Sequence, residues 1–510
     1  MKKLLFLLLI PFIGFTQNID ELFLERGELN FSFEYKNKNQ LNDISDIVSI
    51  DHKTNAELAY AYANKKEFSE FLKLGIDYKI IPKKIISYNN GSKNNWDYYP
   101  TYEEYVDMMI AFADSFPDIC KLHNLGTLNS GREILIVQIS DNVGQKEDEP
   151  SFLYTSSMHG DELAGYILSL RLIDYFLNGY NNNTRLTELV NEIDIWINPL
   201  ANPDGAYYGG NQDVWSAIRY NSNWVDLNRN YPDPEDGAHP DGNPYQEETN
   251  IFLGLADTVN FTISANMHGG AEVCNYPWDT WSNLTADDNW WQYVSQEYAD
   301  SCQTNSGNGY FNYLNDGITN GWDWYSVAGG RQDYMNYFKH CREFTLELSD
   351  DKIPNPNDLP TLWDANYPSL LNYMEQSLYG IRGIVTDSIT GNPLKAKIEI
   401  TNHDVDSSHV FSNLPIGNYH RYLYQGNYSL TYSKNGYYPK TINATILNND
   451  IVIEDIQLLP FGNTNSITEI ATSKSNKIIN MDILGRESKT NKIKLIKTKE
   501  GTIKKQITIN

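Results

Sequence analysis

The chain has 510 residues, 41% hydrophobic and 13% aromatic, which excludes bulk disorder and calls for several packed cores. A formal net charge of −26 argues against nucleic acid as a partner and favours cationic ligands. The four cysteines have no metal-finger spacing; in an exported protein they allow one or two disulfides.

Lys2 and Lys3, the apolar run Leu4 to Ile13 and the small-residue stretch Gly14-Phe15-Thr16-Gln17 make residues 1–16 a secretory signal, too short to span a bilayer. No later run reaches the ~18 apolar residues of a membrane span, so no transmembrane segment is expected. Residues 17–95 read as a small α+β module. Leu29, Phe31, Phe33 and Tyr35 alternate as in a strand, Ala56 to Leu74 has helical spacing that stops at Gly75, and Tyr78 to Ile81 is a second strand. Ser87 to Asn95 reads as a linker. Ahead of an exported enzyme such a module is either a pro-region or an accessory domain.

Over residues 96–378 strands alternate with helices. A helix is expected at Tyr102 to Phe116, strands at Ile134 to Ile139 and Ser151 to Ser156, a helix at Leu163 to Leu177, and a strand at Ile193 to Asn198. The pattern predicts an α/β fold with a mixed, mostly parallel sheet flanked by helices. Ligands in such folds bind at the carboxyl ends of the strands. Residues 379–460 change to short strands and turns, the pattern of a small β-sandwich. Residues 461–510 form a basic β-rich tail; from 471 onward it carries ten Lys or Arg against three acids.

The stretch Ser156-Ser157-Met158-His159-Gly160-Asp161-Glu162 lies where a strand gives way to a helix. His159 and Glu162, three residues apart, share one face of a helical turn and can reach one metal ion. A catalytic zinc takes three protein ligands and keeps a position for water. His268 is the best third ligand, because Phe261 to Met267 is a strand that delivers it to a carboxyl end; His123, His239, His340, His403, His409 and His420 read as surface residues. In Phe344-Thr345-Leu346-Glu347-Leu348-Ser349, Glu347 projects from one face of a central strand, where a carboxylate is costly without a role.

Five segments in order resemble the zinc metallocarboxypeptidases, and among them the regulatory branch of carboxypeptidases E, N and D. They are His159-Gly160-Asp161-Glu162, Asn198 to Gly205, Arg219 with Val225 to Asn230, His268-Gly269-Gly270 with Asn275-Tyr276-Pro277, and Thr345 to Ser349. The resemblance implies one Zn²⁺ on His159, Glu162 and His268, with Glu347 as general base and Arg219 as oxyanion stabiliser. It makes Asn228 and Arg229 the clamp for a free C-terminal carboxylate, a task suited to a planar guanidinium. It also implies that Asp226 orients a zinc histidine and that Tyr325 closes over substrate. Asp279 and Gln332 line the side-chain pocket, where an acid selects C-terminal Lys or Arg; Arg331 departs from the branch and would repel the same substrates. The implied partners are peptide or protein C-termini. Cell-wall peptide hydrolysis at the same site and an inactive surface binding module are the competing readings. Residues 379–460 resemble the transthyretin-like domain of that branch, and the tail is similar to type IX secretion sorting domains, implying an exported, extracellular or surface protein.

Overall fold

The computed structural model describes residues 19–51, 53–55, 57–82, 88–307 and 309–462, and three tail strands at 475–481, 493–498 and 503–507. The expected signal sequence, residues 1–16, lies outside the described residues. Among them, no helix is long and apolar enough to cross a membrane.

The N-terminal module is a four-stranded antiparallel sheet of β1 (Glu28–Glu34), β2 (Ser49–Ile50), β3 (Leu58–Asn64) and β4 (Tyr78–Ile81), in the order β2-β3-β1-β4. The helix expected over 56–74 is wrong in its first half. Leu58 to Asn64 is a strand with strictly alternating burial, and the helix is only Lys65–Leu72. Alanine and leucine favour a helix locally, but pairing overrides that preference. Leu29, Phe31 and Phe33 lie opposite Ala63, Ala61 and Ala59, so large side chains fill the room left by small ones on one face. Phe68 and Phe71 of the helix cover that face, and each such buried ring contributes about 1.5–3 kcal/mol. Asn64 and Glu67 form a reciprocal capping box where strand becomes helix, a cap of about 1 kcal/mol. The opposite face carries Tyr60 and Tyr62 across from Ser32 and Asn30. The expected linker is tied down: Asn90 exchanges two hydrogen bonds with the backbone of Tyr99, and Lys93–Asn95 is a 3₁₀ turn.

Eight strands build the central sheet: β5 (Cys120–Thr127), β6 (Glu133–Ile139), β7 (Ser151–Ser156), β8 (Asp194–Asn198), β9 (Phe261–His268), β10 (Glu272–Tyr276), β11 (Ile318–Asn320) and β12 (Arg342–Leu348). Their order is β11-β10-β12-β9-β7-β8-β6-β5. The inner run β12-β9-β7-β8 is parallel, while β5, β6 and β10 join antiparallel. Alternate residues feed two cores. Phe152 and Tyr154 enter the one with helices Tyr102–Ser115, Ala164–Gly179, Asp288–Ser306 and Leu359–Glu375, and Leu153 enters the one with helices Glu247–Thr258 and Arg331–Lys339.

The sandwich pairs Gly380–Asp387 with Asn418–Arg421, Ile451–Ile453 and Ile456–Pro460 in one sheet, and Lys397–Ile400, Val410–Phe411, Gly426–Ser433 and Lys440–Ile446 in the other. It is locked to the catalytic core by a buried charge cluster. Asp287 accepts from Arg342 (2.8 Å), Arg421 (2.7 Å) and His403 (3.0 Å), and Arg421 also pairs with Asp404 (2.6 Å). Burial opposes the Asp287 charge, but the two arginines outweigh it and hold the carboxyl far below its usual range. Two readings are corrected. His420 is buried, 7% exposed, in the seam between sandwich and core. All four cysteines are buried free thiols; Cys302 and Cys341 each contact a serine hydroxyl. The tail strands Ser475–Met481, Ile493–Thr498 and Ile503–Ile507 form an antiparallel sheet in a second compact unit with 435–438.

Candidate metal centre and active site

The three expected ligands and the expected general base lie at the carboxyl ends of neighbouring strands, with Glu162 three residues beyond His159. His159 follows β7, His268 ends β9, and Glu347 of β12 is in register with His268. Glycine makes the first of these turns. A Cβ on Gly160 would lie 2.3 Å from the carbonyl carbon of Gly205, so only glycine lets the His159 loop rest on the turn after Asn202. Asn202 stitches the two together: its amide donates to the Met158 and Tyr220 carbonyls (both 3.2 Å) and its oxygen caps Gly205 N (2.8 Å). Gly160 N then bonds the Arg219 carbonyl at 3.2 Å.

Nδ1 of His159, Nδ1 of His268 and Oε2 of Glu162 converge at 2.8–3.0 Å from one another, all buried. A tetrahedral zinc with bonds of about 2.0–2.1 Å would hold such atoms about 3.3 Å apart, so a small outward adjustment accommodates the ion. The donor set of two imidazoles and one carboxylate fits zinc. Burial and Arg219 pull the His159 pKa down, but Glu162 and Asp226 outweigh them and raise it. Burial lowers the His268 pKa, favouring the neutral ring a metal requires. Burial opposes charge on Glu162, yet His159 and Lys352 keep its carboxyl well below the usual range.

The surrounding groups fix these ligands. His159 Nε2 donates to Asp226 Oδ1 at 3.0 Å, and Arg219 Nε donates to Asp226 Oδ2 at 3.0 Å. His268 Nε2 lies 2.7 Å from the Asn266 amide nitrogen; ligation through Nδ1 puts the proton on Nε2, and Asn266 must then turn its oxygen to the ring. Lys352, which sequence reasoning missed, pairs with Glu162 Oε1 at 2.6 Å and leaves Oε2 for the histidines. It follows Ser349 in a polar loop, and no spacing pattern marks it. Arg219 also reaches Glu162 Oε1 at 3.3 Å.

Arg229 stands nearby with Nε and one terminal nitrogen enclosed and without a hydrogen-bond partner, while NH1 donates to the Asn228 carbonyl at 2.9 Å. Asn228 is held by Asp226 and by Arg331 N. Asp279 is buried, and its Oδ1 accepts from the amides of Gln332 (3.0 Å) and Asn275 (3.1 Å) rather than from a cation. Burial, ahead of the nearby acids, pushes its carboxyl up to about 7. Arg331 does not point a charge at this pocket. Its guanidinium pairs with buried Glu343 at 3.0 Å and bonds Thr155.

The site is covered. Tyr325 is buried in the same apolar cluster as Phe31, Phe33 and Phe68 of the N-terminal module. Glu28 accepts from Arg219 N at 3.1 Å, Ser49 donates to Asp226 Oδ2, and the Tyr62 ring lies 4.8 Å from the Lys352 ammonium. None of these module residues carried a signal of its own in the sequence.

A zinc carboxypeptidase profile matches residues 105–369, a span that contains His159, Glu162, His268 and Glu347. The chain belongs to the zinc carboxypeptidase family. Mouse carboxypeptidase N catalytic chain is 35% identical to it over 394 residues, covering 70% of this chain and 85% of that one. Mouse carboxypeptidase D is 36% identical over 363 residues, 68% of this chain, but the match spans only 26% of that longer protein. Two solved structures share the fold: carboxypeptidase A of Helicoverpa armigera, with TM-score 0.55, 18% identity and coverage of 69% of this chain and 98% of that one, and thrombin activatable fibrinolysis inhibitor, with TM-score 0.52, 14% identity and the same coverage. Both the family's metal and the carboxypeptidase α/β fold therefore agree with the geometry above.

Proposed function

We propose that the protein is a zinc-dependent carboxypeptidase that hydrolyses the last peptide bond of peptides or proteins and prefers C-terminal Lys or Arg. The observation that carries this reading is Arg229, whose enclosed donors lack a partner. A half-buried guanidinium with enclosed, unpartnered donors is matched by a planar carboxylate, the group that distinguishes a chain end from an internal residue. Asn228 flanks it, and the side chain of the terminal residue would run toward Asp279, where an ammonium or guanidinium meets a carboxylate now held only by amides. Zinc, when bound by His159, Glu162 and His268, supplies Lewis acidity and acidifies water. Glu347 takes the proton from the attacking water and passes it to the leaving amine, and Arg219 donates to the oxygen that becomes negative. Tyr325 closes over the terminal residue once it is released from the module.

Residues 17–95 are read as an inhibitory pro-region, because Glu28, Ser49 and Tyr62 occupy the approach to the metal ligands. Residues 1–16 direct export, 96–378 carry catalysis, 379–460 are a transthyretin-like support and 461–510 are a type IX sorting tail, which makes the protein secreted or surface-borne. The test is a panel of peptides differing only in the last residue, with and without the module. Release of Lys and Arg at least about tenfold faster than of Leu or Phe is expected. Cleavage of muropeptides with none of linear peptides would replace this reading with cell-wall hydrolysis.

A further inference from the structure

Away from the metal centre, the β6–β7 loop gathers three carboxylates. Oxygen atoms of Asp141, Glu147 and Glu149 all lie within 4.8 Å of one another. Like charges this close are costly unless something positive joins them. Glu149 is the telling member. It is only 7% exposed, and no hydrogen bond or ion pair satisfies its carboxylate among the described residues. Oδ1 of Asp141 is likewise enclosed without a partner, and its Oδ2 has only a long contact with the amide of Asn142 (3.3 Å). Lys146, a cation whose charge acts on Glu149, does not fill the gap: its ammonium donates to Ser151 Oγ at 3.0 Å, and that hydroxyl donates to Asp194 at 2.8 Å. Asp194 thus adds a fourth negative group to the surroundings of Glu149, whose carboxyl is pushed up to about 8 by burial first and by these acids next.

We propose that Asp141, Glu147 and Glu149 form a calcium site separate from the catalytic metal. The donors are all oxygen, which selects a hard cation over zinc, and the two half-exposed carboxylates on the rim leave room for the waters that complete a calcium shell. The site has a place in the architecture. The Glu149 carbonyl accepts from Asn418 of the sandwich at 3.4 Å, and Asp148 feels the charge of Arg382 on the strand Gly380–Asp387. A cation here ties the loop that meets the sandwich and removes the repulsion from the junction.

The test uses the full chain, stripped of metal, reloaded with one equivalent of zinc, and melted with and without about 1 mM calcium, the range in which extracellular calcium modules bind. Calcium should raise Tm by at least about 2 °C, with matched sodium chloride giving no such rise and magnesium a smaller one. Glu149→Gln should melt at the same or a higher temperature than the wild type without calcium, since it relieves repulsion, and should not respond to calcium. This crossover is not expected of a residue that merely packs. Asp141→Asn on the rim gives a second reading if Glu149→Gln does not fold, and it should weaken the calcium response. An unshifted wild-type Tm, an equal shift in sodium chloride, or an undiminished shift in the folded variants would overturn the site. Because melting is the readout, the result is independent of whether the protein is a carboxypeptidase.

Discussion

Ser49 of the N-terminal module donates its hydroxyl to Oδ2 of Asp226, the carboxylate whose Oδ1 accepts from the zinc-ligand candidate His159. A residue from outside the catalytic sheet thus bonds the carboxylate that holds a candidate metal ligand. The same module face places Tyr62 beside Lys352 and seats Tyr325 in its core.

Cutting the chain in the segment before Tyr88 should therefore release activity. If the docked state holds about 99% of molecules, kcat/KM toward a peptide ending in Arg rises about 100-fold on removal of the module, because only the open fraction binds substrate. Equal activity of the cleaved and intact forms would rule out inhibition by docking.

Docking should also depend on pH through Glu67. Its carboxylate accepts from Tyr220 OH at 2.6 Å across the contact, and burial pushes its pKa up to about 7. A carboxyl raised on docking favours the docked state fully below its ordinary value of about 4.5, and that contribution is lost as pH rises through 7. Intact protein should gain activity relative to the cleaved form between these limits, and Glu67→Gln should flatten the ratio.

Glu347→Gln is expected to lower kcat by about 10²–10⁴ while zinc content by metal analysis stays at one per chain. Its neighbour His268 is a proposed ligand, but Glu347 itself reaches the site from the adjacent strand in register, so its amide leaves the triad in place. Normal turnover would mean that another group takes the proton.

Asp279→Asn should reduce the preference for Arg over Leu by about 10–100-fold, the worth of a charged hydrogen bond in a buried setting. The acid must be ionised to hold a cation, and burial places its pKa at about 7. In the module-free enzyme the KM for C-terminal Arg should thus fall as pH rises through 7, with no matching change for C-terminal Leu.

Much of this site was legible in one dimension because its ligands are local or strand-terminal. His159 and Glu162 are set by a three-residue spacing, His268 and Glu347 by lying at the ends of their strands, and parallel pairing of β9 with β12 then makes neighbours of residues 79 apart in the chain. Arg331 shows the opposite. Its position beside Gln332 suggested a charge facing the specificity pocket, but the helix Arg331–Lys339 turns successive side chains to different faces, and Glu343 on β12 takes the guanidinium. Local spacing fixes which face of a helix a residue occupies; it does not say what lies opposite.

By itself the sequence determined the candidate metal ligands and the alternation that builds the sheet, since each is written in short-range pattern. Only the tertiary structure decided that Leu58 to Asn64 is a strand, that Lys352 holds one oxygen of Glu162, and that Ser49, Glu28 and Tyr62 close over the catalytic groups. Those outcomes depend on which surfaces meet, and contacts between residues far apart in the chain leave no period to read.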